Sequence, residues 1–425
     1  MGNGLSPLLK RGVFSAGIRV LLFPVSALAT VLTARALPVD ERGVLAIILT
    51  VAAMGSQIGG LGIGAASAFQ SATGRGNLQV ILGNALVMMV GGTALGFLTA
   101  EALQGTFQIG GSLRGQDRWW AMLGIPLLLL AMFVQGMMIS IQSTRWYNII
   151  QAAQVGIGAG LVLILSSLAI TSAVPYVLAS YVATAVAGIL GLWVLYRVAG
   201  GIRLSRAVVG DSIGYGLRSY VCCLLAFAVN RGVLFWIHAT GGYRDLGQYS
   251  LALALNEIAI SAVSVLAGFL FQRLSTMADP GHRRQLVRKV LALTSGGFIV
   301  LVAAPVLLLP DAVFLLVFGQ QYPDLPRFVR SLLPYGLMTC ASSILTSYWC
   351  VLGIPPLVIA ANVMMAVVMV GGAMIWPTMG PVGISLLMGC SVGVSAMILA
   401  AFLGRPGASG PVEVAVDPRQ PGSET

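Results

Sequence analysis

Three ionisable side chains interrupt the apolar stretch that runs from Tyr215 to Arg273. Arg218 and Arg231 lie in its first apolar run, and Glu257 lies in its second. Each run is long enough to cross a bilayer, which takes about 20 helical residues. Because an ion in hydrocarbon costs several kcal/mol, we expect each charge to face a partner or a water-filled cavity.

The depths of Arg231 and Glu257 predict that these two side chains contact each other. Counted from the polar turn at residues 241–247, they lie roughly 12 Å and 16 Å down adjacent helices, at about 1.5 Å per residue. Such a pair is either a buried structural ion pair or part of a coupling-ion or substrate site, and both interpretations stay open. Arg19 lies near the predicted cytoplasmic end of the first apolar run, where reaching water is favoured over facing a cavity.

The composition is that of a polytopic membrane protein. The chain has 425 residues, of which 57% are hydrophobic and 9% charged, with a mean hydropathy of +0.92. Soluble domains average about 25% charged residues. We attribute the net charge of +11 to the positive-inside rule rather than to nucleic-acid binding.

The residues that could bind a metal are scattered. The two histidines share no cluster with the cysteines. All five cysteines fall in apolar runs and are predicted to be small buried hydrophobes: Cys222, Cys223, Cys340, Cys350 and Cys390. No nucleophile–base arrangement is evident either. We therefore expect no metal site, no enzyme activity and no cofactor other than a coupling ion of unknown identity.

Twelve apolar runs are long enough to span a membrane as helices. We predict them at roughly 13–37, 43–68, 79–100, 120–142, 147–170, 174–197, 213–239, 246–272, 287–309, 327–351, 355–376 and 382–403. With both termini in the cytoplasm, 14 of the 24 basic residues lie inside and 7 outside, while Arg19, Arg218 and Arg231 lie within the runs. The positive-inside rule therefore favours cytoplasmic termini.

Two short patterns recur about 200 residues apart. GIR at residues 17–19 is similar to GLR at 216–218, an offset of 199, and DERGVLAI at 40–47 is similar to RDLGQYSL at 244–251, an offset of 204. This repeat predicts an all-α membrane protein with two pseudo-symmetric six-helix lobes around a central cavity. We place the lobes at residues 1–200 and 201–403, followed by a disordered cytoplasmic tail at 404–425 that is rich in Pro, Gly and Ser.

Small residues at helical spacing predict close helix contacts, as in other membrane bundles. The glycines concerned are the pairs Gly55/Gly59 and Gly60/Gly64 in the second run, and Gly156, Gly158 and Gly160 in the fifth. The segment Thr276–Lys289 is predicted to be a basic cytoplasmic loop, and an ordinary positive-inside loop is favoured over a site for anionic lipid headgroups. The segment Asp311–Arg330 is predicted to be an outer loop with a short interfacial helix.

Three segments carry a family resemblance. They are ARALPVDERGVLAIILTVAAM and GLGIGAASAF in the first half, and VFGQQYPDLPRFVRSLLPYGL in the second. Their turn and packing patterns resemble those of the polysaccharide-unit flippases in the multidrug/oligosaccharidyl-lipid/polysaccharide exporter superfamily. The resemblance covers roughly residues 10–403.

The resemblance implies a transporter that flips undecaprenyl-pyrophosphate-linked oligosaccharide units across the bacterial cytoplasmic membrane for cell-surface polysaccharide biosynthesis. Lipid II flippases of this superfamily use arginines in a cationic cavity, which makes Arg19 and Arg218 candidates for substrate binding. Arg231 and Glu257 match no family motif and are candidates for a gate or coupling pair because of their burial alone. The implied partners are the lipid-linked oligosaccharide, membrane lipids and other polysaccharide-assembly proteins, and no nucleic acid.

Two other functions stay open. A cation-coupled multidrug exporter of the same superfamily would use an intramembrane carboxylate, and Glu257 could be that group. The excess of intramembrane arginines argues against this alternative. A membrane-embedded polysaccharide polymerase or ligase generally needs a large outer loop with catalytic groups. The longest outer loop predicted here has only about 20 residues, long for an ordinary connection but short for such a role.

The predicted topology can be tested with single cysteines in a cysteine-free variant. We expect Gly281→Cys to react with a membrane-impermeant thiol reagent only from the cytoplasmic side and Gly110→Cys only from the outside, because the charge bias places residue 281 inside. Labelling of intact cells and of inverted vesicles measures this. Labelling of Gly281→Cys, but not of Gly110→Cys, in intact cells would reverse the orientation.

Overall fold

The computed structural model describes residues 7–63, 67, 77–106, 115–141, 143–275, 277, 279–352 and 356–403, which are helical apart from short turns and contain no β-strand. The first half forms α1 (Pro7–Ala36), α2 (Val39–Gly59), α3 (Leu78–Thr106), α4 (Gly115–Ser140), α5 (Thr144–Ser167) and α6 (Ala173–Ala199). The second half forms α7 (Arg206–Ser275), α8 (Pro280–Phe298), α9 (Ala304–Leu308), α10 (Asp311–Phe318), α11 (Leu325–Ser331), α12 (Leu333–Val351), α13 (Pro356–Ile375) and α14 (Pro381–Phe402).

Helix α7 consists of two limbs that meet at Gly242. This glycine has φ 71° and ψ −164°, a conformation that residues with a Cβ rarely adopt. The first limb covers residues 206–241 and the second covers 243–275. Arg231 and Glu257 are 26 residues apart and yet in contact, so the two limbs lie side by side.

Helix α8 passes into α9 through a π-helical turn, Ile299–Ala303. Pro305 follows this turn, and a proline ring clashes with the carbonyl four residues earlier, here that of Leu301. The wider π turn contains Leu301 and can move its carbonyl away from the ring. Hydropathy did not predict this irregularity, since the whole segment is apolar.

Ten helices in the described part of the chain are long and apolar enough to cross a membrane. One of them, Leu224–Ser261, contains the bend at Gly242 and so represents two crossing segments, and the apolar part of α1, Leu21–Ala36, is shorter. Counting the limbs of α7 separately and adding α1 gives the twelve segments that hydropathy predicted. The prediction of an all-α membrane fold is thus confirmed.

The buried apolar core joins the two halves of the chain mainly at one end of the bundle. This end carries residues 37–38 between α1 and α2, and we refer to it as the turn end. One cluster of buried side chains includes Leu37 and Tyr176 from the first half together with Tyr249, Ile344 and Met388 from the second. The other ends of α3–α6 form a separate cluster within the first half, centred on Met137.

Helices α2 and α3 approach closely through four glycines. A Cβ on Gly59 would lie 2.9 Å from the carbonyl carbon of Gly92, and a Cβ on Gly55 would lie 2.9 Å from the carbonyl oxygen of Gly96. The predicted close contact at Gly55 and Gly59 is therefore confirmed, whereas Gly64 lies outside the described residues. A second glycine-based prediction was wrong. Among the described residues, nothing lies within 4 Å of a Cβ on Gly156 or Gly160, and one on Gly158 meets only Ala183 at 3.6 Å, an ordinary contact distance. The neighbouring helices therefore do not approach α5 as closely at these glycines as α3 approaches α2.

Two loop predictions also need correction. Thr276–Lys289 is helical from Pro280, because Asp279 accepts a hydrogen bond from the Gly281 amide at 2.8 Å and proline suits the first helical position. The same hydrogen bond lowers the pKa of the Asp279 carboxyl. Asp311–Arg330 contains the predicted short helix, α10, and also α11.

Cys340 is buried, as predicted, but Cys390 is exposed. It sits on α14, where an outward position meets lipid rather than water, so a small apolar side chain carries no penalty there. The side chains of Cys222 and Cys223 lie outside the described residues.

The α2–α3 contact predicts that Gly59→Ala destabilises the protein. The added methyl would meet the backbone of Gly92, so the helices must separate, and overpacking of this kind costs roughly 1–3 kcal/mol. Gly91→Ala is the matched control, since nothing lies within 4 Å of a Cβ there. We expect a lower apparent melting temperature in detergent for Gly59→Ala alone, and equal melting temperatures for the two variants would contradict the packing argument.

Candidate functional site

The two limbs of α7 bring Arg231 and Glu257 together. Arg231 Nη2 lies 2.9 Å from Glu257 Oε1 and donates a hydrogen bond of 3.1 Å to Oε2. The predicted contact between these two residues is therefore present. Their role as a gate or coupling pair is a separate question, and it stays a prediction.

The geometry of this pair leaves part of the guanidinium unused. A single nitrogen, Nη2, contacts both carboxylate oxygens, whereas two nitrogens share the oxygens in a fork-like arginine–carboxylate pair. Arg231 Nε is buried and has no hydrogen-bond partner among the described residues. Buried donors normally have an acceptor, so this nitrogen departs from the usual pattern.

The side chains of this pair are more exposed than their predicted depth in the membrane suggested. The side chains of Arg231 and Glu257 are 27% and 32% exposed. Their exposed surface faces a cavity of about 330 Å³ between the two halves of the chain. Helices α2, α4, α6 and both limbs of α7 line this cavity through Arg42, Leu45, Ala46, Leu49, Thr50, Ala53, Leu128, Ser180, Tyr181, Arg231, Leu234, Ser250, Leu253, Ala254 and Glu257.

Arg42 is a cavity residue that the sequence analysis missed. Hydropathy started the second span at residue 43 and assigned Arg42 to an outer loop, but α2 begins at Val39. The Nε atom of Arg42 is buried and has no hydrogen-bond partner in the described part of the chain. Pro38 was the signal that could have placed the helix start correctly, because proline commonly precedes or opens a helix.

The cavity is built from corresponding positions of the two repeats. Several residues of α2 that line it have a partner in the second limb of α7 at the offset of 204 found in the sequence. These pairs are Ala46/Ser250, Leu49/Leu253, Thr50/Ala254 and Ala53/Glu257. Glu257 therefore stands where the first repeat has an alanine, and only the second repeat carries a charge at that position.

Arg19 and Arg218, the predicted substrate-binding residues, lie on α1 and on the first limb of α7. Helices α1 and α7 pack against each other. The side chains of both arginines lie outside the described residues, so their predicted role is unchanged.

The potential metal ligands in the part of the chain that the structure describes do not cluster. No group of three or more His, Cys, Asp and Glu side chains there could hold a metal ion. The charged groups that line the cavity in this part are Arg42, Arg231 and Glu257. Two cations and one anion give it an excess of one positive charge, which suits an anionic group better than a cationic one.

Comparisons with known proteins identify the fold. No protein-family model matches the sequence, and no curated protein sequence is significantly similar to it. Solved structures are similar over nearly the whole chain. One shows the outward-facing conformation of a multidrug resistance MATE family transporter of the MOP superfamily, with 14% identity, a TM-score of 0.66, and coverage of 93% of this chain and 94% of that one.

Two other MATE structures give the same result. The eukaryotic MATE transporter AtDTX14 is 12% identical with a TM-score of 0.66, covering 93% of this chain and 95% of that one. The MATE transporter ClbM in complex with Rb⁺ is 14% identical with a TM-score of 0.64, covering 95% of this chain and 96% of that one. The chain therefore has the two-lobed fold of MATE transporters in the MOP superfamily. This is the fold that the family resemblance in the sequence implied.

The ion pair predicts non-additive effects of mutation. Glu257→Gln and Arg231→Gln should each lower the apparent stability by about 1–3 kcal/mol, because each leaves a charged partner unpaired in the cavity wall. The double variant should recover part of this loss. Melting temperatures of the four proteins in detergent measure the coupling.

The exposed pair Arg118–Glu101 is a matched control for this cycle. Its side chains are 46% and 37% exposed, and exposed pairs contribute only about 0–1 kcal/mol. We expect a much smaller coupling between Arg118→Gln and Glu101→Gln. Strictly additive losses at Arg231 and Glu257 would show that these two residues act separately.

Proposed function

We propose that this chain is a transporter that flips undecaprenyl-pyrophosphate-linked oligosaccharide units across the bacterial cytoplasmic membrane for cell-surface polysaccharide synthesis. The observation that carries the proposal is the positive excess in the cavity between the lobes, whose lining includes Arg42 and Arg231 but only one described carboxylate, Glu257. A diphosphate in a low-dielectric cavity needs cations to offset its charge. Arginine supplies planar, permanently charged donors that match phosphate oxygens.

The cavity can hold only part of such a cargo. A volume of about 330 Å³ is at the lower end of the range for small-molecule sites, about 300–1,000 Å³. The diphosphate and the first sugar are the parts that need polar surroundings, whereas the lipid tail can stay in the bilayer. In this proposal Arg19 and Arg218 receive the diphosphate at the cytoplasmic mouth, and Arg231 with Glu257 acts as a gate or coupling pair.

Alternating access follows from the two-lobed fold. The lobes would rock against each other around the cavity, which then faces each side of the membrane in turn. Both termini are cytoplasmic in this proposal, in line with the distribution of basic residues. A coupling ion, membrane lipids and other polysaccharide-assembly proteins are its expected partners.

Cation-coupled drug export is the second candidate. It is favoured by the carboxylate of Glu257 in the cavity, and one structurally similar protein is described as a multidrug resistance MATE transporter. A cationic drug would have to bind beside two arginines, which is electrostatically unfavourable. For this reason we rank export of cationic drugs below flipping of an anionic lipid-linked saccharide.

The anionic-cargo proposal predicts a loss of transport in arginine variants. In proteoliposomes, the double variant Arg19→Gln, Arg218→Gln should abolish flipping of an undecaprenyl-pyrophosphate oligosaccharide, and Arg42→Gln should slow it roughly tenfold or more. A hydrogen bond to a charged group contributes about 1.5–3 kcal/mol. Lysine at positions 19 and 218 should cause intermediate damage, because it keeps the charge but loses the planar fork.

Arg203→Gln is the matched control for this experiment. It removes the same charge from an exposed position in the connection between α6 and α7, away from the residues that line the cavity. Normal flipping by the Arg19, Arg218 double variant would contradict the proposal. Drug resistance that disappears in Glu257→Gln would support the exporter instead.

A further inference from the structure

Helix α2 crosses the second limb of α7 at the turn end. A Cβ on Gly43 would lie 2.9 Å from the carbonyl carbon of Tyr243, and a Cβ on Gly247 would lie 3.1 Å from that of Val39. In both cases the nearest atoms belong to backbone, so no side-chain rearrangement can make room. The two helices therefore approach as closely as peptide groups allow.

This crossing is reciprocal. The offset of 204 that relates the two repeats converts Gly43 into Gly247 and Val39 into Tyr243. Each glycine thus contacts the counterpart of the residue that the other glycine contacts. Reciprocal contacts of this kind define a local two-fold axis, as in a symmetric dimer interface. The cavity residue Arg42 directly precedes Gly43 in this crossing.

A clasp of hydrogen bonds holds the same end of the bundle. Arg35, at the end of α1, donates from Nε to the Val317 carbonyl at 2.8 Å and from Nη2 to the Leu316 carbonyl. These carbonyls end α10, where a cation is favoured by the helix dipole. In the opposite direction, Gln321 Nε2 donates to the carbonyls of Ala34 at 2.7 Å and Leu37 at 3.0 Å.

Tyr322 adds a weaker bond to this clasp. Its hydroxyl donates to the Leu37 carbonyl at 3.4 Å, and its side chain is fully buried. Burial raises the pKa of the Tyr322 phenol to about 12, although the nearby Arg42 opposes this shift. The hydroxyl therefore keeps its proton, and its ability to donate, at physiological pH.

We propose that the glycine crossing and the clasp together form a latch that closes the cavity at the turn end. The latch rests on the proposed transport function, since it must release whenever the cavity opens toward that face, which is the predicted outer face. Because no flexible side chain lies between the two backbones, the helices at the crossing are either in contact or separated. Packed interfaces switch between such discrete arrangements rather than deforming gradually. The clasp joins the same lobes through a few hydrogen bonds, which can break individually.

The latch is tested by wedging the crossing open. Spin labels on Ser172→Cys and Leu308→Cys, both exposed near the turn end on opposite halves, report the distance between the lobes in a purified cysteine-free variant. We expect one dominant short distance in the parent. Gly43→Ala and Gly247→Ala should each raise the population with a longer distance at least about fivefold, because each methyl is excluded from the closed arrangement.

Gly232→Ala is the matched control, because it adds a methyl to α7 where nothing lies within 4 Å. It should leave the distance distribution of the parent unchanged. An unchanged distribution in folded, monomeric Gly43→Ala and Gly247→Ala would overturn the proposal.

Arg35→Ala provides a second variant that leaves the crossing untouched. Its side chain is exposed, so its removal should not prevent folding, and it should shift the distances in the same direction by a smaller amount. If neither glycine variant folds, an unchanged distribution in Arg35→Ala combined with Gln321→Ala overturns the latch. These distances require no cargo, so the latch and the proposed cargo can fail independently.

Discussion

The exclusion of unpaired charge from hydrocarbon is the constraint on which this structure depends. Arg231 and Glu257 lie on apolar helices, and each is tolerated only because the other neutralises it and a cavity supplies polar surroundings. Their contact requires the two limbs of α7 to run side by side, which Gly242 permits through its positive φ. The cavity in turn requires two lobes that meet at one end without filling the space between them.

The two repeats share a backbone plan but have diverged in chemistry. Glycine occupies both corresponding positions, 43 and 247, and a Cβ at either would collide with backbone of the other repeat. Ala53 and Glu257 correspond as well, yet only the second repeat carries a charge at this position. The two glycine positions of the crossing are constrained by sterics, whereas three of the four pairs that line the cavity differ in residue type.

Sequence reasoning succeeded where a single physical rule governs the outcome. Hydropathy gave the crossing segments, helix geometry gave the Arg231–Glu257 contact, and small-residue spacing gave the contact at Gly55 and Gly59. Sequence reasoning failed where the outcome depends on the exact start of a helix or on which helix packs against it. Helix α2 begins at Val39 and brings Arg42 into the cavity, a start set by Pro38 rather than by hydropathy. Similarly, glycines at helical spacing do not reveal how closely another helix approaches, and no described residue lies within 4 Å of a Cβ on Gly156.

The position of Arg42 connects the proposed latch to the proposed cargo. Arg42 and Gly43 are consecutive on α2, so separation of the crossing must also move the Arg42 backbone. An anionic group in the cavity attracts the Arg42 guanidinium, whereas a cationic drug repels it. A ligand shifts a conformational equilibrium only through its differential affinity for the two states. If Arg42 changes its distance to the cavity as the latch opens, the charge of the ligand contributes to the difference in its affinity for the open and closed states. Anionic and cationic ligands must then bias the latch in opposite directions.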